Sequence, residues 1–281
     1  MVSVIIPTYN RYTLLCEAVR SVLDQTFLDL EILIIDDGSS EDIEQITTLS
    51  PLIKYLRIAH WGMPGYVRNR GVENSTGEYL AFLDSDDLWY PNKLERQLAY
   101  MAGISPSPLI YTKERWLRDE KVIRQRKFRQ GEGDIFDLAL KRCMVGPSTV
   151  LMRRDLFLTY GGFREDLEIA EDYELWLRLT AMHKIGFIDE PLITKRAGHG
   201  DQLSEKYGYI ELFRIRALQE LVDKDWFSVH ATDSHQSRAT AELVRKFEIC
   251  ASGAKKRGLE DEYHVYQRMY ERYHQMSLNR S

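Results

Sequence analysis

The sequence predicts an α/β protein: a doubly wound, mostly parallel sheet with a C-terminal helical extension. Apolar runs of strand length alternate with segments of helical period over roughly the first hundred residues, the spacing of βαβ units. The first two runs are apolar at nearly every position, as strands buried on both faces are. From Glu205 the period is helical almost to the end.

Val2-Ser3-Val4-Ile5-Ile6-Pro7 reads as a buried strand stopped by proline. Leu14, Leu15, Ala18, Val19, Val22 and Leu23 recur at helical spacing and give an amphipathic helix to about Gln25. Glu31-Ile32-Leu33-Ile34-Ile35 is the second strand, followed by a short helix from Ile43 to Leu49 and a strand over Ile53–Ile58. Pro64–Asn74 has a helical pattern, Gly77 punctuates, and Tyr79–Leu83 is the next strand. Pro91 opens a helix with Leu94, Leu98 and Met101 on one face. Beyond residue 105 the pattern loosens, with short strands expected at Leu109–Thr112 and Ser148–Met152 and helices at Asp134–Arg142 and Ala170–Met182. The C-terminal helices are expected in three segments, broken near Val229–Ser234 and Gly258.

Composition narrows the class. At 281 residues the chain can hold one large domain with a helical appendage, and 44% hydrophobic with 29% charged residues is ordinary for a soluble globular protein. A net charge of −5 with no offsetting basic stripe argues against nucleic-acid binding. The three cysteines, Cys16, Cys143 and Cys250, are far apart and lack C-x-x-C spacing, which fits reduced cytosolic thiols and neither a disulfide framework nor a zinc site. The N-terminus enters a strand at once without a leader-like stretch, and no segment is long enough to span a bilayer. The expected location is the cytoplasm or the inner face of its membrane, which leaves room for peripheral membrane contact.

The chemistry gathers at the ends of two strands. Tyr79-Leu80-Ala81-Phe82-Leu83 runs straight into Asp84-Ser85-Asp86-Asp87, and the second strand ends in Asp36-Asp37-Gly38-Ser39. Carboxylates this close repel, and one must take up a proton unless a cation sits among them. In a parallel sheet both ends open on one edge, where open α/β folds place their ligands, so five carboxylates are expected to converge on one crevice. Helix capping by Asp and Ser accounts for one acid per strand but not for both clusters together. Oxygen ligands suit Mg²⁺ or Mn²⁺, ions that usually share their shell with substrate phosphates. Neither G-x-x-x-x-G-K-[ST] nor a G-x-G-x-x-G after the first strand is present, so a bound diphosphate would need a metal for most of its counter-charge.

V-S-V-I-I-P-T-Y-N-R (Val2–Arg11), E-I-L-I-I-D-D-G-S (Glu31–Ser39), Val67-Arg68-Asn69-Arg70-Gly71 and the L-D-S-D-D run together resemble family 2 glycosyltransferases of the GT-A fold, of the spore-coat polysaccharide type. Order and spacing match over roughly the first hundred residues, and Glu171-Asp172 is similar to the acidic pair that carries the family's catalytic base. The resemblance implies an inverting, metal-dependent transfer from a UDP-sugar donor to a saccharide or glycoconjugate acceptor. It implies that Pro7, Thr8 and Tyr9 line the uracil pocket, that Asp37 accepts from the uracil imide, and that Arg68 sits near the nucleotide or donor sugar. Asp84 and Asp86 would form the D-x-D signature, binding ribose and metal, with Asp87 an adjacent contact. Asp172 would be the base, with Glu171 the other candidate. His199 and Arg196, in the loop after a predicted strand, would face metal or phosphate. The implied division is a catalytic domain over 1–204, with a nucleotide half (1–104) and an acceptor and base half (105–204), then a helical region over 205–281.

Several residues have a plainer reading beside the functional one. Gly146-Pro147-Ser148-Thr149 and Gly161-Gly162-Phe163 flank the expected acceptor side but read equally well as turns. Trp89 and Trp176 can stack on sugars or sit in the core, and the C-terminal aromatics read as packing residues. Two rival activities remain open: a nucleotidyltransferase, which would want a glycine-rich basic loop after the first strand, and a non-catalytic sugar-nucleotide scaffold. The donor sugar, the acceptor and the oligomeric state are not encoded in any motif.

Overall fold

The computed structural model describes residues 1–103, 107–118, 121–123, 130–198 and 209–280. Strands β1 (Val2–Thr8), β2 (Leu30–Asp36), β3 (Ile53–Arg57) and β4 (Tyr79–Phe82) form the parallel half of one sheet in the order β3-β2-β1-β4. Thr8 lies beside Asp36 and Ile5 beside Phe82, so the carboxyl ends of β1, β2 and β4 share an edge.

Beyond β4 the sheet is mixed rather than mostly parallel. It continues as β8-β6-β9-β5, built from β5 (Leu88–Trp89), β6 (Leu109–Arg118), β8 (Leu151–Arg153) and β9 (Gly186–Ala197), with β7 (Lys121–Ile123) on β6. β8 is antiparallel to both neighbours, and β5 is antiparallel to β9. β6 and β9 run parallel over almost their whole length, so both outlast the short strands that the loosened pattern suggests. Lys113-Glu114-Arg115 interrupts β6 and Asp189-Glu190-Pro191 interrupts β9, which hides strand periodicity.

Helices cover both faces. Val4, Ile6, Ile32 and Ile34 pack on Leu15, Val19 and Val22 of α1 (Tyr12–Leu23) and on Leu94 of α3 (Lys93–Met101). The alternate residues Ile5, Leu33, Ile35 and Phe82 pack on α2 (Pro64–Glu73), α5 (Arg154–Thr159) and α6 (Glu171–Met182). Each such side chain stabilises the fold by roughly 1.5–3 kcal/mol relative to exposure. Trp89 and Trp176 belong to these two cores and present no open face to a sugar.

The C-terminal region has four helices instead of three: α7 (Ile210–Asp223), α8 (Trp226–His230), α9 (Asp233–Lys256) and α10 (Glu260–Leu278). The additional break falls at Lys224–Asp225, where Asp225 takes the left-handed region (φ 49°) that Asp tolerates better than most residues. These helices enclose a third core in which Leu218, Leu221, Phe227, Leu243, Phe247 and Tyr273 meet Phe136 and Leu140 of α4 (Phe136–Lys141) and Tyr173 and Leu177 of α6. Phe213, Trp226, Phe227, Tyr266, Tyr270 and Tyr273 pack as expected, whereas Tyr263 lies against Lys255 and His264, Tyr209 is exposed and Tyr207 lies outside the described residues. Among the described residues no helix is long and apolar enough to cross a membrane.

One buried acid ties the amino end of the parallel strands. Glu31 accepts from Ser3 Oγ (2.7 Å), Lys54 Nζ (2.6 Å) and the Thr76 N–H (2.6 Å). Burial alone would raise its pKa, yet these bonds outweigh it and hold the carboxyl at about 2. The unfolded chain therefore binds the extra proton between about pH 4.5 and 2, and Glu31 loses its contribution as pH falls through that window. We expect Glu31→Gln to lower stability at pH 7 by about 1–3 kcal/mol. Urea unfolding from pH 7 to 3 should show the wild type approaching the variant as acid is added; a constant gap would contradict the assignment.

Candidate active site

The turn after β4 delivers Asp84, Asp86 and Asp87, and one carboxylate oxygen of each lies within 4.8 Å of the others. Every acid has a cation beside it. Arg68 Nη2 donates to Asp84 Oδ1 (2.7 Å), and Arg11 Nη1 lies 3.3 Å from Asp86 Oδ2. Lys195 Nζ stands 3.6 Å from Asp87 Oδ2 and 3.9 Å from Asp84 Oδ2. Ser148 fastens the turn, donating to Asp87 Oδ2 (2.6 Å) and accepting from the Asp84 N–H (3.0 Å). Arg196 Nε donates to the Asp86 carbonyl (2.5 Å), and its other arm pairs with Glu17.

The two flanking acids respond oppositely. Burial, then the neighbouring Asp86 and Asp84 charges, pushes Asp87 up to about 8, against the pull of Lys195 and Ser148. Asp84 is also penalised by burial, but Arg68, Lys195 and Arg11 more than offset it and hold the carboxyl below its usual range. Each carboxylate of the turn has a cation beside it, and burial is the main cause that sets Asp87 apart.

The second acidic group opens α6. Ala170, buried and left-handed at φ 70°, turns the chain so that Glu171, Asp172 and Glu174 fall in the helix's first turn, where its dipole favours carboxylates. Arg68 spans the gap: its Nη1 donates to Glu171 Oε1 while Nη2 holds Asp84. The close approach needs glycine at the start of α2, since a Cβ on Gly65 would fall 2.4 Å from the Arg164 carbonyl and 3.1 Å from Glu171 Cγ. Burial and the adjacent Asp172 raise Glu171 to about 7 despite Arg68. Asp172 Oδ2 accepts from the Cys143 thiol (3.4 Å) and Oδ1 from the Tyr173 N–H (2.6 Å).

A pocket edge forms where β1 and β2 end. Both oxygens of Asp37 accept backbone N–H groups, from Trp61 (2.8 Å) and Gly62 (2.9 Å), which hangs the 60–62 loop on β2. Gly38 permits this, because at φ 76° a Cβ would meet the His60 nitrogen at 2.8 Å. Tyr9 stacks on His60 (4.2 Å between centroids, 17° apart), leaving an exposed aromatic surface beside half-buried Pro7. Thr8 Oγ1 is buried without a hydrogen-bond partner among the described residues, a group that a polar ligand edge would satisfy.

The structure thus gathers Asp84, Asp86, Asp87, Arg68, Glu171 and Asp172 into one site, with Pro7, Thr8, Tyr9 and Asp37 at the end of the adjoining strands. Asp36 is not a crevice acid. It is fully buried, accepts from the Ser39 N–H and the Tyr55 hydroxyl, and serves the fold. The Arg68 side chain is committed to two carboxylates rather than presented to solvent. Arg196 holds protein groups, and His199 lies outside the described residues. Gly161-Gly162 is the turn its composition suggests, with the Gly162 carbonyl accepting from Arg178. Sequence reasoning missed Arg11, Ser148 and Lys195. Arg11 ends the first motif and Ser148 sits in a flagged turn, but Lys195 has no local signal beyond closing an apolar strand.

Comparison with known proteins agrees with this geometry. A family model described as glycosyl transferase family 2 matches residues 3–161. A Rickettsia felis protein named only as an uncharacterized glycosyltransferase is 36% identical over 71% of this chain, which spans 33% of that protein. The Escherichia coli UDP-Glc:alpha-D-GlcNAc-diphosphoundecaprenol beta-1,3-glucosyltransferase WfgD is 30% identical over 67% of this chain and 73% of its own length. The crystal structure of S. aureus TarS 1-349 in complex with UDP-GlcNAc superposes with a TM-score of 0.65 at 19% identity, covering 96% of this chain and 91% of that one, and so shares its fold. Motif order, sheet topology and sequence match converge: the chain belongs to glycosyl transferase family 2, with the GT-A fold.

Proposed function

We propose that this protein transfers a sugar from a UDP-sugar to an acceptor hydroxyl in polysaccharide or glycoconjugate synthesis, with inversion and with Mn²⁺ or Mg²⁺. The observation that carries the reading is the Arg68 bridge, which sets the acidic turn and the first residues of α6 in one site. UDP as the carrier is supported by the name of WfgD and by the nucleotide sugar in the TarS crystal. The donor set fits a hard divalent ion: three carboxylates, oxygen only, converging to within 4.8 Å. Asp84, Asp86 and Asp87 are the residues that would hold it, with His199 a further candidate. When bound, such an ion supplies Lewis-acid stabilisation to the departing diphosphate.

The remaining work falls to the chain. Asp172 takes the acceptor proton as the hydroxyl oxygen bonds to the anomeric carbon, while the bond to UDP breaks and its electron pair stays on the β-phosphate. The S–H of Cys143 and the Tyr173 N–H hold the carboxylate in place for that transfer. Glu171, engaged by Arg68, acts as the counter-charge that positions the guanidinium rather than as the base. Pro7, Thr8, Tyr9 and Asp37 receive the uracil, with the Thr8 hydroxyl available to its polar edge.

Replacing Asp172 by Asn should leave UDP affinity near the wild-type value and lower turnover about 10²–10⁴-fold, the usual worth of a general base. Transfer at the wild-type rate would remove Asp172 from the role. Asp86→Ala should abolish the Mn²⁺-dependent part of UDP binding measured by calorimetry, and unchanged binding would count against the metal assignment. Free UDP as the product, with no pyrophosphate, separates sugar transfer from nucleotidyl transfer.

A further inference from the structure

Lys195 occupies a position that the established family membership does not explain. It lies near the end of β9, where pairing with β6 sets it opposite Trp116 and pairing of β5 with Thr194 brings it beside the acidic turn. Its ammonium is within 4 Å of two of the three clustered carboxylates and 5.7 Å from the Trp116 ring centroid. Glu114, on the same strand as Trp116, and Asp86 add further negative charge to its surroundings. The close passage of the stem is tied to Gly146, where a Cβ would come 3.3 Å from Lys195 Cε.

A cation among those oxygens neutralises the charge a divalent ion would neutralise, so the two cannot both hold Asp84 and Asp87 without repelling each other. We propose that Lys195 is an exchangeable counter-ion: its ammonium holds Asp84 and Asp87 in the empty enzyme and passes to the donor's diphosphate when the divalent ion takes the carboxylates. Displaced from its partners, the ammonium needs another anion, and the phosphate oxygens beside the same ion supply it. Metal alone then binds weakly and metal with nucleotide binds tightly, because only the nucleotide offers Lys195 a new partner. The coupling is reciprocal, so Mn²⁺ raises UDP affinity by the factor by which UDP raises Mn²⁺ affinity. This rests on the reading of the site as a UDP-sugar and metal site.

The test is calorimetry of Mn²⁺ binding to the wild type, K195M and K195R, each with and without UDP, after circular dichroism shows the variants folded. K195M should bind Mn²⁺ alone about tenfold more tightly, the scale on which one adjacent charge shifts an ionic equilibrium. The gain that UDP brings should shrink by a similar factor, and K195R should retain wild-type behaviour. Equal Mn²⁺ affinity in wild type and K195M, or K195R behaving like K195M, would overturn the role of Lys195 while leaving the UDP and metal reading intact. Failure of all three proteins to bind Mn²⁺ with UDP would bring down both.

Discussion

A single guanidinium joins the two chemical halves of this protein. Arg68 reaches from α2 to Asp84 at the end of β4 and to Glu171 at the start of α6, residues 16 and 103 positions away in sequence. Arg68 and Glu171 are buried and the Asp84 side chain is 25% exposed. Taking one member from a buried ion pair typically costs about 3–5 kcal/mol because the other is left uncompensated, and the partly hydrated Asp84 arm is worth less. The same contact fixes the distance between the acidic turn after β4 and the acidic start of α6. The geometry on which the proposed transfer relies is thereby set by an ion pair of the fold.

Charge around the acidic turn follows from that arrangement. Asp84, Asp86 and Asp87 are crowded enough that burial and mutual repulsion hold Asp87 well above the ordinary carboxylate range. Arg11, Arg68 and Lys195 lower the cost without removing it. These cations come from the first helix's approach, from α2 and from β9, so the sheet has to assemble before the turn can hold its carboxylates together.

What the sequence makes legible follows the range of the interactions involved. The apolar runs of β1, β2 and β4 and the Asp clusters at their ends are local patterns, and they place the parallel half and its acidic edge correctly. Asp36 and Asp37 are neighbours of identical type, but only the terminus of β2 decides that one faces Tyr55 and the other the 60–62 loop. Pairings such as Arg11 with Asp86 and Arg68 with Glu171 lie 75 and 103 positions apart, and Lys195 with Asp87 is as distant, so they leave no periodic trace. The two-residue β5 and the break at Asp225 are too short to carry a pattern. Trp89 and Trp176 were ambiguous because a large aromatic ring suits a core and a sugar equally well until burial is known.

Helix α6 has almost no surface of its own. Leu175, Trp176 and Leu179 face the sheet, whereas Tyr173, Leu177 and Ala181 face the C-terminal helices. The proposed base therefore rides on a wall common to two cores, and melting either core strips one side of that wall. Truncation before α7 would trade a packed apolar stripe for water and loosen the first turn that carries Asp172. The C-terminal bundle thus supplies half of the packing around the helix that carries Asp172.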